Sequence, residues 1–412
     1  MILDRSVPEV RFKGFSNDWN EIELGDIATI KGRLGWKSLK QEEYVKNGPA
    51  MIAGRHIKNG AVDWKKVDHI PPWRYLESPE IMLKNGDVIF SKDGSLGNPA
   101  VVTELKREAT INSTMMLVRP KKNLNANFFY QILKTKKFND LIKEKVSGSS
   151  IPHLFQADMK LFRFVSTSLE EQKKIGNTLQ NLDSLINQHQ QKHDKFCNIK
   201  KAMLEKMFPK QGETIPEIRF KGFNGEWKKK KLAELAEIVR GASPRPIEDP
   251  KWFDKNSTVG WLRIRDVTEQ DGRIHFLEQR ISKLGEEKTR VLFEPHLLLS
   301  IAASVGKPVI NYVETGVHDG FLIFKKPLFE LEFMYQWLKS FQEAWQQYGQ
   351  PGSQVNLNSD IVKSQVVNIP SNEEQIVIGN YFQKLDSLIN QHQQQVTKLK
   401  NIKQACLSKM FV

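Results

Sequence analysis

The string LDSLINQHQQ occurs twice in this chain, at Leu182–Gln191 and, 203 residues later, at Leu385–Gln394. A second match marks the other end of each copy, because Val7–Phe15 resembles Ile215–Phe223. The residues between these matching ends hardly match at all. The chain therefore uses one sequence of about 200 residues twice, which predicts a symmetric scaffold that carries two different domains.

Each copy ends in a long segment with a helical pattern of apolar residues, at Glu170–Phe208 and at Glu373–Phe411. The apolar positions are spaced mostly by three and four residues in turn, which is the pattern of a coiled coil. Pro209 follows the first segment and Pro370 precedes the second, as expected at helix boundaries. The predicted seam includes Ile175, Leu179, Leu182, Ile186, His189, Phe196 and Ile199 in the first helix, and Ile378, Phe382, Leu385, Ile389, His392, Val396, Leu399 and Ile402 in the second.

Chain connectivity predicts the relative direction of the two helices. A segment of this length forms a helix of roughly 58 Å, and only Pro209–Thr214 separates the first helix from the second domain. If the termini of that domain lie close together, as is common, the second helix returns along the first. We therefore expect an antiparallel coiled coil with a globular domain at each end and an approximate two-fold axis between them.

Two histidines, His189 and His392, lie within the apolar seam at equivalent positions. A metal or proton site is one interpretation of this pair. The other is a polar seam position that fixes the register of the two helices, as polar residues do in coiled coils. No carboxylate–histidine cluster accompanies the pair in the sequence, which favours the register role.

The segments between the matching ends have the pattern of mixed α/β domains. Short β-rich runs such as Asp87–Phe90 and Val366–Ile369 alternate with Gly, Pro and Asn turns. Helical patterns occur near Ala126–Lys145 and Leu331–Tyr348. The predicted fold class is therefore α/β, with two mixed α/β domains joined by two long helices. The predicted boundaries are 1–168 for the first domain, 169–209 for the central helix, 210–371 for the second domain and 372–412 for the C-terminal helix.

The chain is strongly basic, with a formal net charge of +14 at pH 7 and a pI near 9.4. Such an excess indicates a nucleic-acid partner, although a charge that serves only solubility is an alternative. Arginine suits bidentate contact with guanine edges or phosphates, and basic residues cluster beside turns and near the domain starts. The candidate DNA-binding residues, each of which could also be a solvated surface residue, are Lys31, Arg33, Lys37, Arg55, Lys92, Ser95 and His153 in the first domain, and Arg240, Arg245, Arg263, Arg265, Ser304, Gln354 and Asn356 in the second.

Several sequence motifs of enzymes are absent. No Gly-x-x-x-x-Gly-Lys-Ser/Thr loop marks an ATP-driven motor, and no Gly-x-Gly-x-x-Gly follows a strand. The run Ile70–Trp73 resembles the Asp/Asn-Pro-Pro-aromatic motif of amino-methyltransferases, but Ile70 lacks the polar side chain that would bind the target amino group. No nucleophile–base arrangement is visible. We therefore expect neither catalytic residues nor a metal site in this chain.

The sequence also carries signals about the compartment. Met1–Arg5 lacks the pattern of a signal peptide, and no apolar run reaches the roughly 18 residues of a membrane span. Cys197 and Cys406 show no metal-ligand spacing and fit a reduced setting. We therefore expect a cytoplasmic protein without a membrane partner.

The ends of the two helices carry repeated motifs. Each helix opens with Glu-Gln-x-x-Ile, at Glu171–Ile175 and Glu374–Ile378, and each ends in Lys-Met-Phe, at Lys206–Phe208 and Lys409–Phe411. Together with the two-copy plan, these motifs resemble the specificity subunit of type I restriction-modification systems. The resemblance covers essentially the whole chain.

Shorter motifs inside the domains add to this resemblance. Gly32–Lys37, Lys92–Gly97 and Asn112–Ser113 resemble one class of target recognition domain. The second domain departs from that class, because Arg240–Pro244 resembles another. The resemblance therefore implies two recognition domains that read different sequences.

The resemblance implies a non-catalytic DNA reader whose two target recognition domains each bind one half of a split, asymmetric site. It also implies that the paired helices act as a spacer and bind two methyltransferase subunits, which hold S-adenosylmethionine. Restriction subunits, which use ATP and Mg²⁺, would join this complex as a translocating nuclease, so this chain itself would hold no cofactor. Two alternatives remain: a protein-only scaffold with negligible, salt-insensitive DNA binding, and a self-sufficient DNA methyltransferase or nuclease.

Overall fold

A computed structural model provides the fold of the chain. None of its described helices is both long and apolar enough to cross a membrane. The residues that it describes are 7–32, 39–147, 152–301, 305–348 and 357–411.

The chain divides into two compact units, and each is of the mixed α/β class that the sequence predicts. Unit 1 comprises residues 1–191 and 392–412, and unit 2 comprises residues 192–391. Two long helices, α6 (Leu169–Lys206) and α12 (Asn372–Lys409), each contribute one part to unit 1 and the other part to unit 2.

Unit 1 begins with strands and short helices and closes with parts of the two long helices. Short 3₁₀ helices occupy Gln41–Glu43, Gly54–His56 and Pro79–Ile81. Its other elements are β1 (Asn20–Glu23), α1 (Leu24–Ile27), β2 (Ala28–Gly32), β3 (Ala50–Ile52), β4 (Ile57–Lys58), β5 (Ala61–Val62), β6 (Asp68–His69), α2 (Pro72–Leu76), β7 (Val88–Ser91), β8 (Gly97–Val101), β9 (Ala109–Ile111), β10 (Met115–Pro120), α3 (Ala126–Ile132), α4 (Lys136–Ser147), α5 (Gln156–Lys160) and β11 (Arg163–Ser166).

The central sheet of unit 1 has the order β2-β10-β7-β8, and its neighbouring strands are antiparallel. A second sheet has the order β6-β3-β9, in which β3 and β9 are parallel. Because side chains alternate along a strand, β7 serves two cores. Val88 and Phe90 pack with Phe128 of α3, whereas Ile89 packs with Ile52 of the second sheet.

Unit 2 repeats this plan with different strands. Short 3₁₀ helices occupy Pro250–Trp252 and Gln342–Tyr348. Its other elements are β12 (Lys228–Lys231), α7 (Leu232–Leu235), β13 (Glu237–Arg240), β14 (Gly260–Leu262), α8 (Ile264–Glu269), β15 (Arg273–Ile274), α9 (Lys283–Glu286), β16 (Arg290–Leu292), β17 (Leu297–Ser300), β18 (Pro308–Asn311), β19 (Thr315–Val317), β20 (Phe321–Lys325), α10 (Leu331–Ser340), α11 (Ser359–Ser364) and β21 (Val366–Ile369).

The central sheet of unit 2 has the order β13-β20-β17-β18-β15, with β15 parallel to β18. A smaller sheet has the order β14-β19-β16, with β14 parallel to β19. Strand β17 again alternates between two cores: Leu297 and Leu299 pack with Phe333 of α10, and Leu298 packs with Leu262 of the smaller sheet. Both central sheets therefore lie between a helix on one face and a second sheet on the other.

Inside unit 1, the first part of α6 packs against the last part of α12. Ile175 and Leu179 share a core with Met410 and Phe411, while further along α6 the His189 Nδ1 lies 3.0 Å from the Nδ1 of His392. Residue numbers rise on one segment as they fall on the other, so these two segments run in opposite directions.

Inside unit 2, the last part of α6 packs against the first part of α12. The ring of Phe208, just after α6, stacks on Phe382 with 6.1 Å between the ring centroids. Lys200 forms an ion pair with Asp386 further along α12. The segments in this unit are therefore antiparallel as well.

One predicted seam residue of unit 1 differs from the expectation. The side chain of Ile402 is 41% exposed, whereas the neighbouring Lys403 is buried. Lys403 takes the interior position because its ammonium group binds Asp183 on the facing helix. Helix rotation that buries Lys403 turns Ile402 towards solvent.

The repeated motifs meet in a buried contact near the start of α6. The Arg11 guanidinium donates to both carboxylate oxygens of Glu171, at 2.8 and 2.7 Å. The neighbouring Gln172 accepts a hydrogen bond from the backbone N–H of Asn125, at 2.9 Å, just before α3. The N-terminal motif and the Glu-Gln motif therefore bind each other and hold α6 against the domain.

Unit 2 contains the same contact near the start of α12. The Arg219 guanidinium donates to both carboxylate oxygens of Glu374, at 2.7 and 2.6 Å, and Gln375 accepts from the backbone N–H of Glu330, at 2.9 Å. These contacts explain in structural terms why the ends of the two sequence copies match.

Candidate nucleic-acid interface

Sheet topology gathers several basic candidates of unit 1 at one edge of its central sheet. Strands β2 and β7 both run antiparallel to β10, so their C-terminal ends lie at the same edge. Lys31 lies at the end of β2 and is exposed, and Lys92 follows β7. A Cβ built on Gly32 would lie 3.5 Å from the Lys92 side chain. The chain segments that carry Lys31 and Lys92 are therefore neighbours in space.

The turn after β7 carries a small polar network. The Lys92 Nζ lies 3.3 Å from an Asp93 carboxylate oxygen, and the other oxygen of Asp93 pairs with the His153 Nδ1. The backbone N–H of Leu154 donates to the Lys92 carbonyl at 2.9 Å, which joins the two segments. Ser95 is exposed in the same turn. The structure thus brings His153, which lies about 60 positions further along the chain, next to the turn that carries Lys92 and Ser95.

Arg55 belongs to the 3₁₀ helix Gly54–His56 next to this edge. A Cβ built on Gly54 would lie 2.5 Å from the Ser91 hydroxyl oxygen at the end of β7. The Arg55 side chain is 63% exposed and pairs with Asp68, and its Nε lies 3.1 Å from the Nε2 of buried His56. The guanidinium is therefore held by two neighbours while most of it faces solvent.

Sequence reasoning did not select Phe155, which is exposed beside this network. Its ring lies 4.2 Å from the His153 ring, measured between centroids, and 59% of the residue is exposed. An exposed aromatic ring next to basic groups suits contact with a sugar or a base methyl group. Its apolar character gives no sequence signal for exposure, because Phe is usually buried.

In unit 2 the equivalent edge carries a cluster around Asp319. The Arg245 Nη2 donates to the Asp319 carboxylate at 2.7 Å, and the Ser243 hydroxyl donates at 2.8 Å. The Arg240 Nε donates to the Asp319 carbonyl at 2.6 Å. Burial alone would raise the pKa of Asp319, but the Ser243 hydroxyl and the nearby cationic groups hold it below the usual range. Asp319 therefore stays ionised and orients two arginines.

A cleft of about 800 Å³ opens beside this cluster. Arg263 and His318 line it together with Phe253, Trp261 and Arg280. The Arg263 guanidinium donates to Asp266 at 2.9 Å and lies 3.6 Å from Glu278. The lining combines an apolar floor with cations and carboxylates, namely Lys255, Arg263, Arg280, Glu248, Asp254 and Glu278. It can therefore offer both hydrogen-bond donors and acceptors to the edges of bases.

His318 is neutral near pH 7. Burial lowers its pKa, and Arg245 and Arg240 lower it further, against the opposing charge of Asp319. The His318 Nδ1 accepts the backbone N–H of Gly320 at 2.9 Å, so the neutral ring carries its proton on Nε2. The ring can therefore donate one hydrogen bond at the cleft.

The remaining candidates lie elsewhere. Arg265 is 70% exposed and pairs with Glu269 of its own helix at 2.6 Å, and it does not line the cleft. In the described part of the chain, no group of three or more His, Cys, Asp or Glu side chains is arranged to hold a metal ion. Arg33, Lys37, Ser304, Gln354 and Asn356 lie outside the described residues.

The comparison with protein families gives the class of this protein. The family model described as the type I restriction modification DNA specificity domain matches residues 16–195 and 224–401. The chain therefore belongs to this family, the non-catalytic DNA-recognition components of type I restriction-modification systems.

Individual relatives agree with this membership. The chain is 22% identical over 420 residues to the type I restriction enzyme MjaVIII specificity subunit of Methanocaldococcus jannaschii, covering 93% of this chain and 90% of the relative. It is 21% identical over 267 residues to the MjaIX specificity subunit of the same organism, covering 61% and 58% of the two chains. The crystal structure of a type I restriction-modification system S subunit from M. genitalium has the same fold, with a TM-score of 0.59 and 16% identity over 98% of this chain and 99% of that chain.

Proposed function

We propose that this chain reads a bipartite, asymmetric DNA site, with unit 1 reading one half and unit 2 the other. The observation that carries the proposal is that both units share the same scaffold contacts but present different side chains at the equivalent edge of the central sheet. Both units contain the same Arg–Glu ion pair near the start of a long helix, Arg11 with Glu171 in unit 1 and Arg219 with Glu374 in unit 2. Yet Lys92 and His153 meet at the edge of unit 1, while Arg240 and Arg245 meet at the edge of unit 2. Different side chains at equivalent edges favour different half-site sequences.

The two long helices would form one antiparallel coiled coil that spaces the half-sites. Each helix has 38 residues, which corresponds to about 57 Å. One turn of the DNA duplex is roughly 34–36 Å, so helices of this length suit two readers that contact grooves one or more turns apart. The number of unread base pairs would then depend on helix length.

The repeated helices would also bind partner proteins. Two equivalent surfaces favour two copies of one partner, which we propose to be methyltransferase subunits that hold S-adenosylmethionine. Restriction subunits, with ATP and Mg²⁺, would join through them. The chain would bind none of these cofactors itself and would work with double-stranded DNA in the cytoplasm.

The test is a selection of bound duplexes from a random-sequence pool, carried out with the complex of this chain and its methyltransferase partner. We expect two short, different sequences separated by a gap of fixed length without sequence preference. We also expect log affinity to fall steeply with log salt concentration, because phosphate contacts release counterions. One continuous motif, or salt-insensitive binding, would contradict the proposal.

A further inference from the structure

A partly buried carboxylate, that of Asp183, connects three helices in unit 1. The Lys403 Nζ of α12 lies 2.5 and 2.7 Å from the two carboxylate oxygens of Asp183 on α6. The Gln131 Nε2 of α3 donates to the same carboxylate at 3.0 Å. Lys403 and Gln131 are buried. Asp183 therefore joins the domain to both long helices.

Unit 2 contains the same arrangement with the roles of the long helices exchanged. Asp386 of α12 pairs with Lys200 of α6, and the Gln336 Nε2 of α10 donates to Asp386 at 3.0 Å. Asp183 and Asp386 occupy the same position of the repeated LDSLINQHQQ string, and Lys200 and Lys403 are likewise separated by 203 residues. In unit 2 the Arg273 Nη2 adds a further hydrogen bond to Asp386 at 3.0 Å.

These clusters are costly ways to stabilise a fold. The desolvation of a buried ion pair offsets much of its Coulomb attraction, and apolar residues of similar volume often stabilise as well or better. In addition, the carbonyl oxygens of Gln131 and Gln336 are buried without a hydrogen-bond partner. The same costly cluster occurs once in each unit, which argues for a role other than stability.

Selection of one helix register is a role that such a pair can fill. If α12 slipped by one turn, Leu399 or Leu407 would replace Lys403 opposite Asp183. In unit 2 the same slip would place Phe196 or Leu204 opposite Asp386. Either slip separates the lysine from its carboxylate, so Asp183 loses its cation and Asp386 keeps only Arg273. Both changes are unfavourable, because these groups are wholly or partly removed from water. Apolar seam residues alone discriminate far less, because they also repeat every three or four positions.

We propose that Asp183 and Asp386 are positioning residues that fix the register of α6 against α12 and thereby the gap between the two DNA half-sites. This inference rests on the proposed function. A slip of one helical turn displaces one helix by about 5.4 Å, which exceeds the roughly 3.4 Å rise of one base pair. A register error would therefore change the accepted gap by one or two base pairs.

The test replaces the pairs of both units by leucine, through Asp183→Leu with Lys403→Leu and Asp386→Leu with Lys200→Leu, because either pair alone would hold the register of the two helices. The complex with the methyltransferase partner is selected against duplexes that carry the wild-type half-sites at all gap lengths. We expect the preference for one gap over its neighbours to fall by about tenfold, with unchanged half-site sequences and little loss of thermal stability. Ser184→Ala with Gln404→Ala, which changes exposed neighbours on the same helices, should leave the gap preference unchanged.

A variant that keeps the leucine pair in unit 2 and carries Asp183→Lys with Lys403→Asp in unit 1 retains one ion pair and should restore the single gap. Unchanged gap preference in the leucine variant would overturn the inference while leaving the proposed function intact. Failure of the leucine variant to fold would also overturn it, since the pair would then serve stability. If the wild-type complex itself selected no bipartite site, the proposed function would fail first.

Discussion

At the scale of the residue, Asp386 shows how neighbouring charges control a buried carboxylate. Burial alone would raise the pKa of Asp386, but Lys200 and Arg273 hold it below its ordinary value of 3.8. A carboxyl whose pKa is lower in the folded state stabilises the fold at pH values above its unfolded pKa. That contribution is lost as the pH falls through the folded value.

We predict that Asp386→Asn destabilises the protein by about 3 kcal/mol near pH 7, because Lys200 and Arg273 lose their shared anion. As the pH falls below 3.8 and through the lower pKa of the folded state, the wild-type carboxyl becomes protonated as well, so the stabilities of the two proteins should converge. Urea unfolding between about pH 2 and pH 7 measures this difference. Asp360→Asn, at an exposed position of α11, should behave like wild type throughout, and a pH-independent gap between wild type and Asp386→Asn would refute the charge argument.

At the scale of the element, the long helices combine an apolar seam with polar positions. Ile186 and Val396 are buried in the seam, whereas His189 and His392 meet within hydrogen-bond distance in unit 1. One ring nitrogen of this pair must donate a hydrogen bond and the other must accept it. The hydrogen bond therefore forms only where the two histidines face each other. Apolar residues thus provide the packing, and the histidine pair adds a contact that depends on how the two segments are aligned.

We predict that duplicating one heptad in both helices, Ile186–Lys192 and Ile389–Gln395, lengthens the accepted gap without changing the half-sites. Seven residues preserve the seam pattern and add about 10.5 Å, which corresponds to roughly three base pairs. Selection of bound duplexes gives the new gap. Duplication in one helix alone mismatches the seam, so it should weaken binding to duplexes of every gap length. Altered half-site sequences in the double duplication would contradict the spacer role.

At the scale of the whole molecule, the chain keeps one scaffold twice and changes the surface that each copy presents. Trp19 of unit 1 packs edge-on against Phe411 with 6.3 Å between centroids, and Trp227 of unit 2 packs edge-on against Phe208 with the same spacing. The sheet edges differ, since Asp319 orients Arg245 in unit 2 and Asp93 pairs with His153 in unit 1. If each unit reads one half-site, as proposed, the two edges should act independently.

We predict that Arg245→Ala reduces discrimination at one DNA half-site by about tenfold or more, the range for a lost arginine contact with a base, and leaves the other half-site unaffected. Selection with the methyltransferase complex measures both halves in one experiment. Lys326→Ala, which removes an 87% exposed charge of the same unit, is the matched control. Weaker binding to every sequence, with unchanged discrimination at both half-sites, would make Arg245 a phosphate contact.

Part of the scaffold was predictable from sequence, and the sequence also contains one further repeated pattern that could have been recognised. Tyr130–Lys134 and Tyr335–Lys339 share the pattern Tyr-Gln-x-Leu-Lys, and they contain Gln131 and Gln336. Their separation is 205 residues (335 − 130) instead of 203, so a comparison at one fixed shift misses them. No sequence pattern predicted that the lysines of these pairs are buried, because Lys403 next to apolar Ile402 has the pattern of a solvated surface charge.

The repeat, the long helices and the family resemblance are properties of the sequence, because they depend on local periodicity and on motifs that can be compared directly. Which side chains share an interface was decided by the tertiary structure. Arg245 and Asp319 are separated by 74 positions, and Asp183 and Lys403 by 220. Only strand order and helix register bring such residues together, and these depend on packing across the whole unit, to which any one segment contributes little.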